Sequence, residues 1–342
     1  MTKNLFLVLL LAVQTAFGQI VSKDFSFASS GKHVIPYNSI SNSHQMVQDS
    51  NGEIYFTYNV DVSPGITYGY VSKLTPNGVL DPTFGSNGRV QLPSEPYMNQ
   101  IKRLADGKLL IFGILDGARI FRMLANGQLD PTFGTNGMSS AIPVDHDYFW
   151  NSYEFILQND KIIIHGVSSY DPDQRHVISR LNTNGSIDTT FGNNGFAFTQ
   201  RHIYGQTFVL LDNQSNIISF SDNIGIIEKL DSNGHPITSF GNNGVLQMSI
   251  NGSTIGDVGT AMIDSNNKIV FSTNGNHDVF RINPNGTLDN TFNYNLYTSL
   301  GLNAGPEILS INEKDGNYYI GGNGGDFVIS PSLGIFKSRV FY

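Results

Sequence analysis

The amino-acid sequence predicts an all-β protein, a six-bladed β-propeller of four-stranded antiparallel blades, and three observations carry that expectation. A long phrase recurs along the chain, each copy follows two strand-like runs, and the spacing leaves one unit that only the two chain ends together complete.

The 342 residues are 39% apolar but only 14% charged, with 36 Gly, 13 Pro and no Cys. A soluble domain usually has about a quarter of its residues charged, so this surface is wetted by Asn, Ser and Thr, which suit strands and turns. The absence of Cys excludes a disulfide framework, thiolate zinc sites, iron–sulfur clusters and cysteine nucleophiles. A net charge of −8 with scattered Lys and Arg gives no concentrated basic face, so no nucleic-acid partner is expected.

At the N-terminus, Lys3 precedes the apolar run of residues 5–13 and the small-residue pattern Ala16-Phe17-Gly18. That order predicts a signal peptide over residues 1–18, and hence a secreted, periplasmic or cell-surface mature protein. The run is too short to span a bilayer, which takes about 20 apolar residues. Residues 19–342 are then expected to form a single domain with no membrane span, most simply a monomer.

The recurring phrase occupies residues 71–88 and returns at 121–137, 178–195, 227–244 and, more weakly, 279–295. Before each copy lie two strand-like runs around a polar turn, as in Lys108-Leu-Leu-Ile-Phe112 and Lys161-Ile-Ile-Ile164. Nearly continuous apolar, β-branched runs fit strands buried on both faces. A third strand ends before Asn-Gly at Asn77, Asn126, Asn184, Asn233 and Asn285. This pair favours positive φ and is expected to reverse the third strand into a fourth.

Equivalent first strands start near Gln45, Gln100, Glu154, Thr207, Thr260 and Glu307, six units at steps of 47 to 55 residues. The last is too short for four strands at this period, and residues 27–44, whose Phe27-Ala-Ser-Ser-Gly31 echoes the phrase, make up the deficit. Radial sheets closed by the N-terminal strand bury both faces of every unit and need no specialised capping units.

The phrase x-L-N-x-N-G-x-L-D-x-T-F-G-x-N-G resembles the delta-60 repeat family of bacterial secreted and surface proteins. It is carried by residues 74–88, 124–137, 181–195, 230–244 and 282–295. The resemblance implies a propeller-like repeat protein and no particular chemistry. Two departures stand out: Ile237 replaces the Asp of the other copies (Asp81, Asp130, Asp188, Asp289), and Asn293 replaces the Gly after Phe292.

The recurring Asp is read as a turn former and the Phe three residues later as a wedge between blades, rather than as parts of a calcium ring. Residues 321–325 are Gly-rich, but a strand follows them and no helix does, so they form a tight loop and no phosphate cradle. No H-E-x-x-H or G-x-S-x-G motif occurs, and His165, within an apolar run, is read as a satisfied core residue.

Two regions are left as candidate sites. The first is the channel mouth that the six first-strand starts would line: Gln45, Gln100, Glu154, Thr207, Thr260 and Glu307. No cofactor is expected, although calcium would suit these oxygen ligands. The second is a pair of long loops, residues 141–152 and 166–175, holding Asp145, Tyr148, Trp150, Tyr170 and Asp173, where aromatics beside carboxylates suit a glycan or an extracellular protein. The leading function is a noncatalytic binding module. The alternatives are a calcium-dependent hydrolase or lactonase acting in the channel, and a purely structural surface repeat.

Overall fold

The structure is a computed structural model that describes residues 24–35, 40–63, 66–93, 97–114, 117–142, 154–167, 175–202, 207–221, 225–250, 253–254, 258–273, 278–295, 308–322, 325–330 and 334–338. Among them there is no helix. The first sheet is β1 (Ile40–Gln48), β2 (Ile54–Ser63), β3 (Ile66–Leu74) and β4 (Arg89–Gln91), and the second is β5 (Tyr97–Arg103), β6 (Leu109–Ile114) and β7 (Ala118–Met123). The third is β8 (Glu154–Gln158), β9 (Lys161–Val167), β10 (Arg175–Leu181) and β11 (Phe196–His202). The fourth is β12 (Thr207–Leu211), β13 (Ile217–Ser221), β14 (Ile226–Leu230) and β15 (Val245–Gln247), followed by a small hairpin of β16 (Ser249–Ile250) and β17 (Ser253–Thr254). The fifth is β18 (Val258–Ile263), β19 (Ile269–Thr273), β20 (Asp278–Ile282) and β21 (Leu288–Asn295). The sixth is β22 (Ile308–Lys314), β23 (Asn317–Gly322), β24 (Gly325–Ser330) and β25 (Gly334–Ser338). Strands pair antiparallel in chain order, and in the second sheet residues 138–142 take the outer place through bridges of Met138 to Phe121 and Ile142 to Ala118.

Two expectations are corrected. The last sheet draws all four strands from residues 308–338, while residues 40–44, expected to complete it, belong to β1 and pair with β2. The reason is local: the last unit lacks the recurring phrase, so only residues 331–333 separate β24 from β25 and the short segment suffices. Nor does Asn-Gly lead straight into the fourth strand. At residues 77–78 only Gly78 has positive φ, and the chain returns for the single bridge of Leu74 to Leu80. A second turn then follows, in which Gly85, Asn87 and Gly88 all adopt positive φ, and β4 begins only after it.

Apolar seams join successive sheets. Tyr55, Val71 and Phe84 of the first unit meet Ile101, Ile111 and Phe121 of the second, and Phe112, Ile120 and Phe133 meet Phe155, Ile164 and Val177 of the third. The strand interiors have the continuous burial that their sequences imply; every residue of β6 is buried.

A backbone interlock fixes the first four seams between successive sheets. The N–H of the Gly after each recurring Phe donates to the carbonyl of the next unit's Asn: Gly85 to Asn126 at 2.9 Å, Gly134 to Asn184 at 2.6 Å, Gly192 to Asn233 at 2.7 Å and Gly241 to Asn285 at 3.0 Å. At Gly185, Gly234 and Gly286 the Phe ring lies on the Gly of that Asn-Gly pair, so a Cβ on Gly185 would meet Phe133 at 2.9 Å. Residues 27–31 repeat this turn ahead of the first sheet. Ala28, Ser30 and Gly31 have positive φ, the Ala28 N–H donates to Asn77 at 2.6 Å, and Phe27 covers Gly78.

Charge reinforces the interlock. Each recurring Asp accepts through Oδ1 from the backbone and hydroxyl of a Thr two residues on, as Thr132 binds Asp130. Its Oδ2 faces the basic residue that closes the third strand: Lys73 with Asp81, Arg122 with Asp130, Arg180 with Asp188, Arg281 with Asp289. The same guanidinium stacks on the recurring Phe, with Arg122 4.6 Å from the Phe133 centroid, and reaches the next sheet, as Arg122 does to the Thr183 carbonyl at 2.6 Å. Burial pushes the Asp130 carboxyl up, but the Thr132 hydrogen bonds and the Arg122 and Lys108 charges outweigh it and hold it at about 2. In the fourth unit, where Ile237 replaces Asp, Lys229 pairs at 2.8 Å with the buried Asp212 instead, and Ile237 joins the adjoining apolar cluster. The missing carboxylate has been relocated.

Two outcomes follow. Gly185→Ala forces a side chain into positive φ and against Phe133, and is expected to cost about 2–4 kcal/mol. Gly316→Ala, also at positive φ but with nothing within 4 Å of the new Cβ, is expected to cost about 1–2 kcal/mol; urea unfolding compares them, and equal losses would refute the seating of Phe133. Asp212→Ala leaves Lys229 buried without its carboxylate and is expected to cost about 3–5 kcal/mol, most of it recovered by adding Lys229→Met.

Candidate functional site

The first strands of successive sheets lie side by side, β1 beside β5, β5 beside β8, β8 beside β12, β12 beside β18 and β18 beside β22. The first strands thus run as one row from sheet to sheet. Of the expected mouth residues, Gln45 is exposed, Glu154 and Thr260 are half-buried, Thr207 opens β12, and Glu307 lies outside the described residues. Gln100 is buried, and its Oε1 accepts from the Phe155 N–H at 2.7 Å. That side chain ties the second sheet to the third and is not a free ligand. No group of three or more His, Asp or Glu positioned to hold a metal occurs among the described residues.

Beside Gln100, Lys102 extends over the Phe155 ring, its Nζ 5.3 Å from the centroid. Burial lowers the pKa of this amine, and the neighbouring Glu154 partly counters the shift. The loop residues Asp145, Tyr148, Trp150, Tyr170 and Asp173 lie outside the described residues. Separately, Arg119, Thr132, Thr135, Ser139, Asn184 and Ser186 help line a polar hollow of about 370 Å³ at the seam of the second and third sheets.

A second hollow, of about 540 Å³, lies on the first sheet's free face, lined by Phe27, His33, Ile35, Gln45, Met46, Ile54, Phe56, Thr57 and Leu74. Its position in the repeat explains its apolar character. Ile101, Phe155, Val209 and Ile311, which match Met46 in their sheets, are 3%, 0%, 3% and 7% exposed, whereas Met46 is 74% exposed.

Sequence reasoning missed two features. A basic residue stands next to last in the third strand of the first five sheets, at Lys73, Arg122, Arg180, Lys229 and Arg281, a periodic signal that was legible. The core residue His165 is indeed buried, but its Nδ1 shares a hydrogen bond of 3.2 Å with His176 Nε2, and its own Nε2 has no partner. That pairing crosses strands and had no signal in the sequence spacing.

Comparison with known proteins agrees with this architecture. No curated protein matches the chain. Among solved structures, a catalytically inactive variant of virginiamycin B lyase from Staphylococcus aureus with quinupristin is similar at 11% identity and a TM-score of 0.55, over 90% of this chain and 86% of that one. YCF48 bound to D1 peptide is similar at 9% identity and a TM-score of 0.50, over 89% of this chain and 82% of that one. At such identities the likeness concerns the fold alone. The family described as "Domain of unknown function (DUF5122) beta-propeller" matches residues 104–133, 157–191 and 265–292. Each segment contains a recurring Asp and Phe together with the Arg of the third strand, so three of the repeats are similar to this β-propeller family.

Proposed function

We propose that the mature chain, exported after removal of residues 1–18, closes into a six-bladed ring and serves as a noncatalytic binding module for a glycan or a protein through one ring face. The observation that carries the reading is the fate of the recurring polar groups. The carboxylates Asp81, Asp130, Asp188 and Asp289 are each bound by a Thr and by a cation of the third strand, so the repeated chemistry is consumed by the scaffold. Recognition then falls to segments that do not repeat, chiefly residues 141–152 and 166–175, with their aromatic and acidic side chains.

Closure is supported by the first sheet's free face. Its apolar residues match those that other sheets bury against the preceding sheet, and the turn of residues 27–31 supplies the interlock that the last unit lacks. The last sheet is the natural occupant, and no second copy is required.

Met46→Asp is expected to destabilise a closed ring by about 2–4 kcal/mol; a change within about 0.5 kcal/mol, normal for an exposed position, would leave the ring open. Trp150→Ala combined with Tyr170→Ala should lower retention on a glycan array or on captured extracellular protein at least tenfold with the unfolding midpoint unchanged. Unaltered retention, or calorimetric binding of millimolar calcium that Glu154→Gln abolishes, would overturn the binding-module reading.

A further inference from the structure

The seam between the third and fourth sheets carries a buried polar chain. His165 on β9 and His176 on β10 share a hydrogen bond of 3.2 Å, and His176 Nδ1 lies 3.1 Å from Ser219 Oγ on β13 of the next sheet. All three residues are 0% exposed. Alternation places His165 with Ile163, His176 with Ile178 and Ser219 with Ile217, and these isoleucines pack together in the seam. The polar chain is therefore the continuation of the apolar contact between two sheets. At the two histidine positions the second sheet has Phe112 and Ala118 and the fourth has Phe220 and Gly225, so the repeat does not demand imidazoles there.

We propose that this seam is the proton-sensitive joint of the protein, and that acid loosens the third sheet from the fourth before it affects the other seams. A proton on either ring would place a charge in an interface sealed from water, and the short shared hydrogen bond leaves no room for two. The ionisable neighbours do not remove that charge from the interface. Glu154 stands opposite His165 on β8, the buried Glu228 stands opposite Ser219 on β14, and Arg175 and His202 are backbone partners at the far end of β10 and β11. A carboxylate that stabilised the protonated pair would act against the proposal, which makes Glu228 the informative neighbour.

Burial holds His165 at about 3, down from an ordinary 6.5, and burial followed by the His165 charge holds His176 well below the usual range. The sign follows from linkage. Folded-state values below the unfolded ones leave the seam at full strength above about pH 6.5 and weaken it progressively as pH falls toward 3.

Hydrogen exchange of the full mature chain at pH 7 and pH 5, corrected for the intrinsic rate, tests this. Peptides covering β9, β10 and β13 should lose protection about twenty-fivefold at pH 5 if one histidine titrates on opening, with β6 and β19 unchanged. The double variant His165→Phe with His176→Ala, carrying the second sheet's residues, should abolish the difference, and Glu228→Gln should leave it in place. Equal loss in all sheets, no loss in β9 and β13, or abolition by Glu228→Gln would each overturn the proposal. The wild-type comparison decides even if the double variant does not fold.

Discussion

The fold depends on a constraint that sits between sheets rather than within them. A four-stranded sheet of this length, buried on both faces, has no stability of its own and must be held at a fixed distance and angle to the next. Here a Phe-Gly turn from one unit seats on the Asn-Gly turn of the following unit, with a backbone hydrogen bond on one side and the ring on the other. In the second, third and fifth units the Arg next to last in the third strand locks the arrangement, since one cation binds its own unit's Asp, covers its own Phe and reaches the neighbouring sheet. The fourth unit is the informative exception. With Ile237 in place of Asp, the charge partner of Lys229 comes from Asp212 at the head of β13's hairpin. The cation needs a carboxylate and accepts it from either place.

Much of this was legible in the sequence because it repeats. Five copies of one phrase announce a set of equivalent units, and the apolar runs Lys108-Leu-Leu-Ile-Phe112 and Lys161-Ile-Ile-Ile164 announce buried central strands; both appear in the structure as β6 and β9. The structural reading of Asp and Phe also agrees with the contacts that they make. What misled was local turn chemistry. Asn-Gly at residues 77–78 has the composition of a two-residue hairpin, but only Gly78 takes positive φ, and the two-residue signature belongs instead to Asn87-Gly88 one turn later. The last sheet misled for a related reason: counting residues per unit assumes that every unit carries the phrase, and the last does not.

The candidate site was less legible, because single residues outside the repeat have no copies to check against. Gln100 and Glu154 hold equivalent places at the start of their first strands, yet Gln100 is spent on the Phe155 backbone while Glu154 stays half-buried near Lys102. The histidine pair illustrates the same limit: residues 165 and 176 meet only because β9 and β10 place them diagonally across the hairpin, which neither spacing nor composition states. The repeat thus fixes where the scaffold is uniform, and function is expected where uniformity fails.

The interlocking turns hold successive sheets together, and the amides of Gly134, Gly192 and Gly241 report on them directly. Hydrogen exchange followed residue by residue at neutral pH should find these three turn amides as protected as those of Ile163 and Ile218 inside the sheets, because each is donated across a seam. If they exchange at the rate of an open surface turn such as Gly316, the sheets are held together by something other than the turns.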